Sequence, residues 1–138
     1  MKKNKILYTI NYDKIVNFKE RITRFTVKFE FKSNCKNEDY SGEDFENETV
    51  SQTGLTLVDF YAIWCGPCQM LEKVLAEVAS SSECTIVRVD VDDYPEFGTK
   101  FKIRGLPMLV LFKDGEIAET LNGFQTFDEI MEKINLHS

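Results

Sequence analysis

The chain has 138 residues, 43% of them hydrophobic and 29% charged; this fits one folded domain with an appendage and excludes a wholly disordered chain or two full-sized domains. Its apolar runs, such as Met108 to Phe112, which ends at Lys113, fall far short of the roughly 18 residues a membrane-spanning helix needs. The net charge of −6 argues against nucleic acid as a partner, but residues 1–36 hold ten Lys/Arg and three acids, leaving 7 basic and 20 acidic side chains in 37–138, the imbalance of a basic arm on an acidic body.

In chain order, Ile6, Tyr8, Ile10 and Tyr12 recur at every second position, and Phe25 to Phe31 alternates strictly between apolar and polar residues. Both patterns predict half-buried strands. Residues 32–44 are polar and rich in turn formers, which reads as a linker, with a short helix expected over 42–51. Leu55 to Ala62 is an apolar strand with one aspartate inside it. Over 66–80, Met70, Leu71, Val74, Leu75 and Val78 fall at helical spacing. Ile86 to Val91 is rich in β-branched residues, and Pro95 suits the first turn of a short helix. Residues 108–112 and 116–121 flank Asp114-Gly115, a strong hairpin signal. Thr126 with Glu129 forms a capping box before a last helix whose Phe127, Ile130, Met131 and Ile134 share a face. The order predicts an α/β fold, a central mixed sheet flanked by helices on both faces. The expected division is a basic extension over 1–40, made of strand-like segments and linker, and a domain over 41–138.

Lys2, Lys3 and Lys5 resemble the start of a signal peptide, but the following residues are interrupted by polar groups and lack a small-residue cleavage site. No secretory signal is expected, and the expected location is cytoplasmic, where thiols are kept reduced. Four cysteines are too few for a disulfide scaffold.

The chemistry concentrates in Trp64-Cys65-Gly66-Pro67-Cys68, between the buried strand and the long helix. Cys65 falls at the helix start, where unpaired N–H groups and the helix dipole favour a thiolate. Cys68, three residues on, shares its face at a separation a disulfide can span. Pro67 loses no helical hydrogen bond there, and Gly66 presents no Cβ to an approaching partner. The alternative is half a zinc site completed by Cys35, Cys84 or His137; no second Cys-x-x-Cys follows, and the sole histidine is two residues from the end. Asp59 lies within a buried strand, which raises a carboxyl pKa by desolvation and suits a base or proton relay. Its alternative reading is an aspartate paired with a cation such as Arg88.

Leu57-Val58-Asp59-Phe60-Tyr61-Ala62, the string 64–68, Ile103-Arg104-Gly105-Leu106-Pro107 and Leu111 to Glu116 resemble the thioredoxin family over about 41–136. The resemblance implies the thioredoxin fold and a protein dithiol–disulfide reductase active in electron transport and cell redox homeostasis. It implies Cys65 as nucleophile, Cys68 as resolving thiol and Asp59 as the carboxylate that helps deprotonate Cys68. It further implies a cis Leu106-Pro107 peptide beside the cysteines, with the Leu106 backbone pairing to an extended substrate segment. Trp64, Gly66, Pro67, Gly105 and Gly123 would complete the docking surface; Gly123 also reads as an ordinary turn glycine and Pro107 as a trans turn proline. No bound cofactor or metal is implied beyond the redox-active Cys65–Cys68 disulfide. Electrons would come from an NADPH-linked flavin enzyme, thioredoxin reductase, and the partners would be disulfide-containing proteins. A monomer without membrane or nucleic-acid attachment is expected.

Several positions depart from the family pattern. Tyr61 replaces a common tryptophan, Met108 a threonine, Lys73 a helix-kinking proline and Arg88 a lysine. Two rival readings stay open: an oxidase or isomerase variant, which usually carries histidine between the cysteines, and a binding module of the same fold that uses its basic arm.

Overall fold

The computed structural model describes residues 4–11 and 26–33 as backbone, and residues 36–42, 44–45 and 53–138 in full. Two compact units divide at Asn34/Cys35. In the first, β1 (Asn4–Asn11) and β2 (Thr26–Ser33) form an antiparallel pair with Tyr8 opposite Phe29. The alternating patterns predicted both strands; Tyr12 and Phe25 lie outside the described residues.

The second unit carries a five-stranded sheet built from β3 (Asn37–Asp39), β4 (Leu55–Tyr61), β5 (Thr85–Asp90), β6 (Met108–Lys113) and β7 (Glu116–Asn122), in the order β3-β5-β4-β6-β7. β3 and β4 run parallel to β5, while β6 runs antiparallel to β4 and β7. The helices are α1 (Gly66–Ser81), α2 (Glu96–Lys100) and α3 (Phe127–His137).

The linker expected over 32–44 is corrected: β2 extends to Ser33, and β3 occupies the sheet edge beside β5. The strand expected over Phe25 to Phe31 pairs with β1. Of the helix expected over 42–51, Phe45 is helical, and residues 43 and 46–51 lie outside the described residues.

Because side chains alternate across a strand, the central strands feed two cores. Leu57, Ile86, Leu109 and Leu111 pack under α1 and α3 with Leu71, Leu75, Ile130 and Ile134. Val58, Phe60, Val89 and Phe112 face the other way, with Phe45 and Phe97. The helical spacing of Cys68, Leu71, Leu75 and Val78 is what lets α1 bury one stripe. Asp59 is two residues from Leu57 and so stands on the α1 side of the sheet.

The local signals act as their chemistry requires. Asp114 (φ 49°) and Gly115 (φ 90°) both adopt the left-handed backbone of a tight hairpin turn, and Asp114 Oδ1 accepts the Gly54 N–H at 2.7 Å. The Thr126–Glu129 capping box is complete in both directions. At its far end α3 is tied to β7, where His137 Nε2 lies 3.0 Å from Glu119; this contact holds the Glu119 carboxyl below its usual pKa.

Candidate active site

β4, the central strand, ends at Tyr61, and a tight turn closes with Cys65 N–H donating to Ala62 O at 3.1 Å. Helix α1 begins one residue later. Its N-cap is Cys65, in extended conformation, and its first helical residues include Pro67. A serine or aspartate oxygen usually accepts a free N–H here; in this chain the Cys65 sulfur does, taking the Cys68 N–H at 3.2 Å. The same contact stabilises a thiolate more than a thiol. Cys65 and Cys68 are joined as a disulfide with their Cα atoms 5.2 Å apart. Both cysteines are buried, Cys65 being 5% and Cys68 2% exposed.

Around them lies a small buried cluster with Ala62, against which Tyr61, Val91 and Leu106 pack. The Leu106–Pro107 peptide is cis, and the Pro107 carbonyl accepts the Gly123 N–H at 2.8 Å, which binds this loop to the end of β7. Trp64 is 69% exposed, and its indole N–H donates to Asp92 at 2.7 Å. Asp92 is itself positioned by its N–H, which donates to Asp90 Oδ1. A Cβ on Gly66, Gly105 or Gly123 would meet open space, so these positions leave the approach to the cysteines clear.

Asp59 is fully buried. The register sets it opposite Arg88 on β5 and Leu109 on β6. Arg88 Nε stands 3.5 Å from Asp59 Oδ2, an ion-pair separation without hydrogen-bond geometry, and neither carboxyl oxygen has a hydrogen-bond partner among the described residues. Burial raises the Asp59 pKa from 3.8 to about 7, and Arg88 offsets only part of the effect. The guanidinium is shared: Nη1 lies 3.3 Å from Asp39 and 3.5 Å from Glu72, and its carbon sits 4.2 Å above the Tyr61 ring. Cys68, Glu72 and Arg88 line one crevice of about 320 Å³, so the cation that touches Asp59 also borders the second cysteine.

The sequence-derived residues thus gather on one side of the unit. Gly105, Leu106 and Gly123 line a second groove, and Arg88 pairs with Asp59 as the alternative reading held. Sequence reasoning missed Asp39, Glu72 and Asp92. Glu72 follows Cys68 by one helical turn on the same face, a signal that could have found it. Asp39 was hidden in the apparent linker, and nothing local links Asp92 to Trp64. The residues weighed for zinc lie apart: Cys84 is buried in the core under α1, His137 bonds Glu119, and Cys35 is outside the described residues. Among the described residues, no three His, Cys, Asp or Glu side chains cluster to hold a metal.

Residues 36–136 match the thioredoxin family model. The chain belongs to the thioredoxin family. Thioredoxin of Staphylococcus saprophyticus is 42% identical over 88 residues, covering 62% of this chain and 85% of the relative. Thioredoxin of Staphylococcus aureus is 38% identical over 96 residues, 68% and 90% of the two chains. Among solved structures, a mutant thioredoxin from Halobacterium salinarum superposes with a TM-score of 0.70 at 33% identity, over 79% of this chain and 96% of the other. Chloroplastic thioredoxin z gives 0.67 at 35% identity, over 73% and 93%. With its paired cysteines on the thioredoxin fold, the protein is a thioredoxin-type dithiol–disulfide oxidoreductase.

Proposed function

We propose that this thioredoxin works as a reductase of protein disulfides, with Cys65 attacking, Cys68 resolving and Asp59 as base. The observation that carries the reading is the sulfur of Cys65 at the N-cap of α1, accepting the Cys68 N–H. That position favours the thiolate at Cys65, the residue whose neighbour Gly66 leaves room for a partner.

The Cys65 thiolate attacks one sulfur of a substrate disulfide, forming a mixed disulfide and releasing the first substrate thiolate. Asp59 accepts the Cys68 proton. The Cys68 thiolate then attacks the Cys65 sulfur, and the second substrate sulfur leaves as a thiolate. Two electrons pass to the substrate, and this chain retains the Cys65–Cys68 disulfide. The burial of Asp59 and its pKa of about 7 suit a group that must exchange a proton near neutral pH. Leu106, packed on the cysteine cluster, offers its backbone to an extended substrate segment, with Trp64, Gly66, Pro67, Gly105, Pro107 and Gly123 around it.

The re-reducing partner is an NADPH-linked flavin enzyme of the thioredoxin reductase type, and the working location is the cytoplasm, where a reductant of this class is kept reduced. The catalytic unit is the sheet-bearing domain with β3 at its edge, and the basic segment before it is an extension; the contact boundary near residue 35 and the family match from residue 36 support that division. Gly66-Pro67 between the cysteines, without histidine, favours the reductase over an oxidase.

Insulin reduction coupled to NADPH and a thioredoxin reductase tests the reading. Cys65→Ser is expected to abolish turnover, and Cys68→Ser to accumulate a mixed disulfide through Cys65. A reduction potential near roughly −120 mV, in place of the roughly −270 mV characteristic of thioredoxins, would identify an oxidant instead.

A further inference from the structure

We infer that the groove beside Leu106 selects substrate segments carrying an acidic side chain next to the attacked cystine. The inference rests on the reductase reading above and specifies which protein disulfides it acts on.

The groove measures about 560 Å³ and opens between the α2–β6 loop and the end of β7. Its apolar lining comes from Phe101, Leu106 and Met108, its charged lining from Lys102 and Arg104. Among the described residues no carboxylate lines it, although residues 37–138 hold 20 acids against 7 bases. The other cations of this unit include several already engaged: Arg88 serves Asp39, Asp59 and Glu72, Lys133 faces Glu119, and Lys100 stands over the Phe97 and Phe101 rings. Lys102 and Arg104 are exposed, and neither has an ion pair within 4 Å among the described residues.

Lys102 also occupies a backbone position that does not suit it. Its φ is 54°, in the left-handed turn that ends α2, where glycine or asparagine is usual. Its N–H donates to Thr99 O, and the Ile103 N–H to Gly98 O. Backbone preference therefore does not account for a lysine here, whereas a charge at the groove does.

An extended substrate laid beside Leu106 turns alternate side chains to the same side. An aliphatic residue fits the Leu106–Met108 floor, and a carboxylate meets Arg104, whose planar fork binds carboxylates at two points. Among the described residues no carboxylate lines the groove to compete for these cations, and charges beyond about 8 Å are screened at physiological salt. Segments bearing lysine at the same position meet two like charges and no counter-ion.

The test uses the full chain and three cystine peptides, identical except for Glu, Gln or Lys beside the disulfide, at physiological salt. Reduction of the Glu peptide is expected to exceed that of the Lys peptide about tenfold in kcat/KM, with Gln between. The ratio should collapse in 1 M salt on the order expected for exposed charges and invert in the Lys102→Glu, Arg104→Glu double variant. Equal rates for the three peptides with the unmodified chain would overturn the inference while leaving the reductase reading intact. A Glu preference that survives the double reversal would also overturn it, since the groove would not be its source. If no peptide is reduced, the reductase reading falls, and this inference with it.

Discussion

Replacing Asp59 with asparagine should stabilise the protein, and only above the acid range. Asp59 is fully buried, with a pKa raised from 3.8 to about 7 by that burial. A carboxyl that binds its proton more tightly when folded lends most stability below its unfolded pKa. That contribution is lost as the pH rises through the folded pKa, and stability is level beyond it. At roughly 1.4 kcal/mol per pKa unit, holding the ionised Asp59 in its site costs the native state about 4 kcal/mol above pH 7. Asparagine has nearly the same shape and no charge to desolvate.

The Asp59→Asn gain should therefore be near its minimum at pH 4, grow between pH 4 and 7, and level off above, with a span on the order of 4 kcal/mol. Urea unfolding of the oxidised chain and the variant across pH 4 to 9 measures this directly, with the disulfide fixed in both. The attraction of Arg88 for the ionised carboxylate adds no separate contribution, because the pKa of about 7 already includes it and Arg88 stays charged throughout this window. A stability difference that is flat with pH, or that shrinks as pH rises, would refute the assignment of Asp59 as the buried titrating group.

Three further outcomes follow from the same geometry. Glu72→Gln removes a charge that raises the Asp59 pKa and a competitor for Arg88, so the midpoint of Asp59 followed by carboxyl 13C NMR should fall below that of the unaltered chain; an unchanged or higher midpoint contradicts the sharing of Arg88. Asp92→Ala frees the indole of Trp64, the sole tryptophan, and should lower its fluorescence anisotropy while changing stability by less than about 1 kcal/mol; unaltered anisotropy would mean that the bond does not orient the ring. Leu75→Ala, at a fully buried position between α1 and the sheet, should cost about 3 kcal/mol in urea unfolding with Cys65 reactivity preserved; a loss under about 1 kcal/mol would contradict its place in the core.

What could be read from the residues depended on whether the signal was local. The hairpin at Asp114-Gly115 and the Thr126 cap depend on backbone conformations and short-range bonds that a few adjacent residues determine. The Cys65–Cys68 pair is local in the same sense, since helix geometry alone sets its spacing. β3 was not legible. Asn37, Glu38 and Asp39 are exposed and poor strand formers; the flanking bonds Ile86 N–H to Lys36 O and Tyr40 N–H to Arg88 O hold them to β5. Its partner is some 50 residues away in sequence, with Asn37 opposite Ile86, and no side-chain pattern announces the pairing. Asp92 escaped for the same reason, its link to Trp64 spanning 28 residues.

The unread strand matters for the chemistry. Register aligns Asp39, Arg88 and Asp59 across β3, β5 and β4, and α1 adds Glu72 from above the sheet. A single cation thus faces three carboxylates. Had Arg88 served Asp59 alone through a two-point contact, its charge would have held the carboxyl ionised and pulled its pKa down. With no cation, burial would have carried the pKa higher and kept the group protonated. Sharing, with Nε at 3.5 Å and outside hydrogen-bond geometry, leaves Asp59 between these limits, at about 7. A guanidinium suits this place better than an ammonium would. Its separate N–H groups can face several carboxylates while its plane stacks on Tyr61, whereas an ammonium is a single point of charge. Arg88 and Tyr61 therefore act together, and Asp39 and Glu72 set how much of the shared charge reaches the buried Asp59 carboxyl.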